Sequence, residues 1–128
     1  MSLARVLVVD DNLTNLKLAV DVLEFAGYEL LRAKNAQEAQ EVVKRSPPDV
    51  ILMDIQMPGM DGLTLTRKLK ADPTTRGIPI AAMTSFAMKG DEQKALEAGC
   101  DGYITKPIDT RTLSSKVAGL LERARKQR

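Results

Sequence analysis

Apolar and polar positions along the chain alternate between two rhythms. Short unbroken apolar runs read as buried strands, and apolar residues recurring every three or four positions read as amphipathic helices. Residues 5–9, RVLVV, are the first strand run. From Asn12, Leu16, Val20 and Leu23 recur at helical spacing, and Gly27 stops that helix. Residues 28–33 read as a second strand. Asn35 caps a helix that ends near Ser46, ahead of Pro47 and Pro48. Residues 50–53 are a third strand run that meets Asp54. Pro58 and Gly59 make a loop, residues 60–70 read as a helix, and Pro73 breaks it. Residues 78–83 read as strand four. Residues 88–97 form a polar helix with few apolar anchors, stopped at Gly99. A short fifth strand covers 102–105. A closing helix covers 110–125, with Leu113, Val117, Leu120 and Leu121 on one face.

Five strand–helix units in succession predict an α/β fold with a parallel sheet covered by helices on both faces. Burial on both faces also accounts for strands one and three being continuously apolar. The length, 128 residues, fits one domain spanning 1–128. The chain is 44% hydrophobic but has only two Phe, two Tyr and no Trp, so its core is aliphatic. A formal charge of +2 makes no electrostatic case for nucleic acid as a partner. Cys100 is the sole cysteine, which excludes an internal disulfide and a CxxC zinc motif and fits a reducing, cytoplasmic compartment. No apolar stretch is long enough for a membrane span, and Asp10 and Asp11 interrupt the apolar start too early for a signal peptide. Histidine is absent, so Ser-His-Asp or Cys-His catalysis, His-ligated metals and a phosphohistidine on this chain are all excluded.

In an open parallel sheet, ligands bind beyond the carboxyl ends of the strands. Strand one ends in Asp10 and Asp11, strand three in Asp54, strand four in Thr84, and strand five in Lys106 followed by Pro107. Two adjacent like charges at the end of a core strand repel each other and resist desolvation. A hard divalent cation offsets that cost, and clustered carboxylates favour Mg²⁺, with Mn²⁺ as a substitute. Lysine is a point-charge donor to phosphoryl oxygens, and a threonine hydroxyl donates to another of them. A carboxylate can itself attack phosphorus. The set reads as a magnesium-assisted phosphoryl acceptor.

The stretches VLVVDDN, DVILMDIQMPGMDG, IPIAAMTS and AGCDGYITKPI resemble the receiver domain of two-component response regulators, in order and across nearly the whole chain. DDNLTNLKLAVDVLEFAGYE and SFAMKGDE are similar to single-domain, DivK-type receivers. The resemblance implies a flavodoxin-like (βα)5 three-layer sandwich with strand order 2-1-3-4-5. It implies Asp54 as phosphoacceptor and Asp11 as a direct Mg²⁺ ligand, with Asp10 acting through a bound water and the Gln56 backbone carbonyl completing the protein ligands. Lys106 would pair with Asp54 at rest, Thr84 would move toward the phosphoryl group, and Tyr103 would rotate inward with it. The Lys106–Pro107 bond would be cis. Gln56 and Phe86 would flank an attacking water. Expected partners are a histidine kinase or histidine phosphotransfer protein and a downstream target protein, with the chain a monomer or weak dimer. Self-catalysed phosphorylation and dephosphorylation are the only chemistry expected.

Each residue alone has a plainer reading. An acid at a strand end often caps the next helix, and a lone lysine is usually solvated. Capping does not explain Thr84 and Lys106 at the remaining strand ends. Tyr103 could simply pack in its strand. Met53, Met57, Met60, Met83 and Met88 could form an adaptable binding surface, but Met53 and Met83 read as core filler, and Met57 and Met60 as a loop shielding the site. Cys100 reads as a small buried residue, and the tail ERARKQR as a solvated helix end. Asp61 and Gly62 lack the run of oxygen ligands of a calcium loop. Acids at the strand ends would repel a flavin phosphate. Two other functions fit in outline. One is a phosphorylation-independent pseudo-receiver. The other is a phosphohydrolase resembling haloacid dehalogenases, which needs an acid where Gln56 stands. Output is expected through a partner protein, or the chain is a receiver fragment of a larger regulator.

Overall fold

The computed structural model describes residues 4–57, 59–84 and 90–126, without the side chains of Asp91, Arg125 and Lys126. Along these residues strands and helices alternate: β1 Arg5–Val9, α1 Leu13–Phe25, β2 Glu29–Ala33, α2 Ala36–Arg45, β3 Val50–Asp54, α3 Gly62–Ala71, β4 Ile80–Thr84, α4 Asp91–Ala98, β5 Gly102–Thr105 and α5 Leu113–Lys126. All neighbouring strands pair in parallel, in the order β2-β1-β3-β4-β5.

Side-chain alternation splits the core into two layers. Leu7, Val9, Ile51, Met53, Ile80 and Ala82 face α2, α3 and α4, meeting Ala39, Val43, Leu65, Leu69 and Ala95. Val6, Val8, Leu52, Ala81, Met83 and Ile104 face α1 and α5, meeting Val20, Leu23, Leu113, Val117 and Leu120. The edge strand β2 presents charge outward: Arg5 pairs with Glu29 at 3.3 Å and Arg32 with Glu24 at 4.0 Å.

Local chemistry sets the element ends. Asn12 Oδ1 accepts the N–H groups of Thr14 and Asn15, and Asn35 Oδ1 accepts that of Glu38, so both asparagines cap as expected. Gly27 leaves α1 with φ 100°, in the left-handed region. Besides α4, four elements begin later than the sequence pattern predicts. β2 starts at Glu29 because the Tyr28 N–H still bonds the Leu23 carbonyl of α1. α3 starts at Gly62 because Asp61 Oδ1 accepts the Thr64 N–H at 2.8 Å, which makes Asp61 the cap. β4 starts at Ile80 because Ile78 N–H is held in a turn by Thr75 and Pro79 has no N–H. α5 starts at Leu113 because Asp109 holds the preceding turn, accepting the Arg111 N–H on its side chain. Met88, which opens the expected fourth helix, and Phe86 lie outside the described residues, as do Met1 to Leu3 and the last two residues of the tail. That helix runs Asp91–Ala98; it begins only after Gly90, whose φ of 98° is left-handed, and Gly99 stops it with φ 105°. No helix among the described residues is long and apolar enough to cross a membrane.

Candidate functional site

The parallel sheet brings the carboxyl ends of β1 and β3 side by side, since Val9 pairs with Met53. The residues that follow are therefore neighbours. Asp10, Asp11 and Asp54 each offer a carboxylate oxygen, and these oxygens lie within 4.8 Å of one another. Asp10 is fully buried and Asp54 is 3% exposed, whereas Asp11 is exposed.

The two buried acids are held in the same way. Asp10 Oδ1 accepts the Asn12 N–H at 2.9 Å, and Asp54 Oδ1 accepts the Gln56 N–H at 2.9 Å. Each turn ties one oxygen to the backbone two residues on. The other oxygen of each faces Lys106, whose Nζ lies 2.7 Å from Asp10 Oδ2 and 3.3 Å from Asp54 Oδ2. The lysine is thus shared by two carboxylates: it meets Asp54, the partner the resemblance implied, and stands nearer still to Asp10. Two buried anions compete for one cation, and the ammonium settles between them.

Burial pushes the Asp54 carboxyl up to about 6; the Gln56 N–H and Lys106 oppose that rise, and the charge of Asp10 adds to it. The site gathers three acidic side chains around one lysine, an excess of two acids. A hard divalent cation would neutralise it, and every side-chain donor in the cluster is oxygen, so the donor set fits Mg²⁺ or Mn²⁺.

Strands β4 and β5 bring the remaining residues. Thr84 ends β4 and is fully buried; its carbonyl accepts the Lys106 N–H at 2.7 Å. Met83 pairs with Asp54 across β3 and β4, and its carbonyl accepts the Ile55 N–H at 3.1 Å. β5 ends at Thr105, so Lys106 is the first residue beyond it, and the Lys106–Pro107 bond is cis. Tyr103 is half-buried against the α2–α3–α4 core layer, with its hydroxyl oxygen buried. The Gln56 side chain is exposed.

Some neighbours of the site take places different from those the sequence suggests. Met57 is buried in the α2–α3–α4 layer and Met60 packs against it, so Met57 is core rather than a shield over the acids. Met53 and Met83 are core, as expected. Cys100 is buried, its thiol pushed up by burial, with Sγ 3.9 Å from Thr66 Oγ1. Gly62 is the functional neighbour that pattern reasoning missed. A Cβ there would collide with the Asp54 carbonyl oxygen and lie 2.8 Å from Ile55 Cα, so the start of α3 rests directly on the end of β3. The Thr66 hydroxyl donates to the Gly62 carbonyl at 2.8 Å and fixes that first turn. The signal in the sequence was the DG pair itself, with the aspartate capping and the glycine allowing close approach.

Comparison with known proteins agrees with this geometry. The family model "Response regulator receiver domain" matches residues 6–118. The polar-differentiation response regulator DivK of Brucella anthropi is 48% identical over 103 residues, covering 80% of this chain and 84% of that protein. A CheY-like response regulator receiver domain protein from Methanospirillum hungatei JF-1 superposes with a TM-score of 0.91 at 32% identity, covering 99% of this chain and 100% of that one. The receiver domain of a signal transduction histidine kinase from Syntrophus aciditrophicus gives 0.85 at 36% identity, covering 93% and 90%. With its acids at the ends of β1 and β3 and its lysine after β5, the chain belongs to the response regulator receiver domain family.

Proposed function

We propose that Asp54 accepts a phosphoryl group from a phosphohistidine on a histidine kinase or histidine phosphotransfer protein. One observation carries the reading. Asp54 is buried and oriented by the Gln56 N–H, with Oδ2 beside the Lys106 ammonium. Asp54 is ionised at neutral pH, given its value of about 6, and so presents a nucleophilic oxygen. That oxygen bonds to phosphorus as the phosphorus–nitrogen bond breaks, and the donor imidazole leaves with the electron pair. Lys106 then stands close to receive a phosphoryl oxygen, and Thr84 supplies a hydroxyl at the neighbouring strand end.

Asp11, Asp54 and the Gln56 carbonyl would hold Mg²⁺, with Asp10 acting through a water. Bound there, the ion supplies positive charge against both the carboxylates and the incoming phosphoryl oxygens. The products of the chain are signalling states; its chemistry is confined to its own phosphorylation and dephosphorylation.

The switched surface would comprise α4, β5 and α5, with Thr84 and Tyr103 relaying the change. α4 supports this reading because its described buried residues, Ala95 and Ala98, are small, and Leu96 is 53% exposed. Such weak anchoring lets an element shift at low cost and leaves apolar surface for a target protein. We place the protein in the cytoplasm, where kinase and target would meet it.

Incubation with acetyl phosphate and Mg²⁺ tests the assignment. We expect one phosphoryl group per chain by intact mass, none without the ion, and none on Asp54→Asn. Equal labelling of that variant would overturn the reading. Slow hydrolysis of small phosphate esters with turnover would favour a phosphohydrolase, although Gln56 cannot supply the protonating acid.

A further inference from the structure

α3 runs from one end of the sheet to the other. Its first residue, Gly62, rests on Asp54, and its last turn places Lys70 at the opposite, amino-terminal end of β4 and β5. There Lys70 Nζ lies 2.8 Å from the Ile78 carbonyl oxygen, 3.2 Å from that of Arg76 and 2.9 Å from Asp101 Oδ2. An ammonium has three protons, and three acceptors surround this one. The same Asp101 oxygen accepts the Ile80 N–H at 2.8 Å, while the Asp101 N–H donates to the Ile80 carbonyl at 2.7 Å. Asp101 therefore closes both sides of Ile80 at the point where the β4–β5 ladder begins. The aliphatic stem of Lys70 crosses Gly99, where a Cβ would lie 2.9 Å from Lys70 Cγ.

β5 is short, and Arg123 Nη1 also donates to the Asp101 carbonyl at 3.2 Å where it begins. The strand has four residues, lies at the sheet edge, and buries only Ile104 fully. Its far end is closed by the Lys106 N–H on the Thr84 carbonyl. We propose that Lys70 and Asp101 are positioning residues of the acidic site. They hold β5 in register on β4 and so set where the Lys106 ammonium stands between Asp10 and Asp54. They act over four residues of strand, roughly 13 Å at the usual rise. The consequence for phosphorylation rests on the reading of Asp54 as acceptor, whereas the consequence for register does not.

The test compares Lys70→Met and Asp101→Ala with Val43→Ala, a core truncation in α2 that leaves the polar contacts of Lys70 and Asp101 in place. In metal-free protein, amide hydrogen exchange should show Lys106 N–H losing at least tenfold protection in the first two variants. The Asp10 N–H, which bonds Ala33 across β1 and β2, should change less than twofold. In Val43→Ala the two amides should change together. Asp101→Asn keeps an acceptor for Ile80 and should stay within threefold of the parent. With acetyl phosphate, Lys70→Met should label at least fivefold more slowly while its Mg²⁺ dissociation constant stays within twofold. If Lys70→Met does not fold, Lys70→Gln is read in its place. Equal loss of protection at Lys106 and Asp10, or labelling at the parent rate in a folded Lys70 variant, would overturn the proposal. An unlabelled parent with the exchange pattern intact would support the anchor and overturn the phosphoacceptor reading instead.

Discussion

Asp54 binds its proton more tightly in the fold than in the unfolded chain, because burial pushes its carboxyl from the ordinary 3.8 up to about 6. The sign of its effect on stability follows. The folded state is favoured while the group is protonated, and that contribution is lost as pH rises through about 6. Metal-free protein should therefore lose stability between about pH 4 and pH 6 through this residue. Asp54→Asn should remove that slope and raise stability at pH 7.5 by on the order of 1–3 kcal/mol, measured by urea denaturation in chelator. Asp72 and Asp109, held below the usual carboxylate range by Thr74 and Arg111, act in a separate window below about pH 4, where their contribution disappears on acidification. The other two acids differ in exposure, Asp10 buried and Asp11 exposed. Asp11→Ala should weaken Mg²⁺ binding by more than about tenfold, and Asp10→Ala by less, by titration followed with NMR. Asp10, Asp11, Asp54, Thr84 and Lys106 were legible in the sequence because each ends or follows an apolar run. The sharing of Lys106 by two acids was not, because it depends on side chains meeting across 52 and 96 residues of chain.

Gly62 shows how a whole helix is placed by one missing methyl group. Backbone lies on both sides of the gap, so neither side yields as a flexible side chain would. Gly62→Ala should cost about 1–3 kcal/mol by thermal or urea unfolding, with Asp54 displaced and acetyl phosphate labelling slowed. Among the elements, strands β1 and β5 fall where the periodicity puts them, and both asparagine caps were readable. The late starts of α3, β4 and α5 were not. Each is decided by a competing local bond: the Asp61 cap, the Thr75 turn and the Asp109 turn. Hydrophobic rhythm carries no information about such bonds. Lys70 and Asp101 escaped notice for a related reason, since each looks like a solvated charge until Ile78, Ile80 and Arg76 are placed around them.

At the scale of the molecule, alternation of βα units was enough to predict a parallel sheet clothed on both faces. The strand order came from family resemblance, since periodicity alone does not say that β1 lies between β2 and β3. What folding adds is convergence. Residues 10, 54, 84 and 106 come from four strand ends and meet at one edge of the sheet because all five strands run the same way.

The charged outer strand has a consequence for how copies of the protein behave when crowded. An open sheet leaves two edges that could template another chain. On β2, Glu29 and Arg32 are exposed and paired with Arg5 and Glu24, so a strand approaching that edge must first strip water from two ion pairs. At the other edge, β5 offers only four residues. Colloidal stability is thereby guarded where the backbone is least covered. Replacing Glu29 and Arg32 together by valine should leave the site intact and lower the concentration at which light scattering rises on incubation at 37 °C.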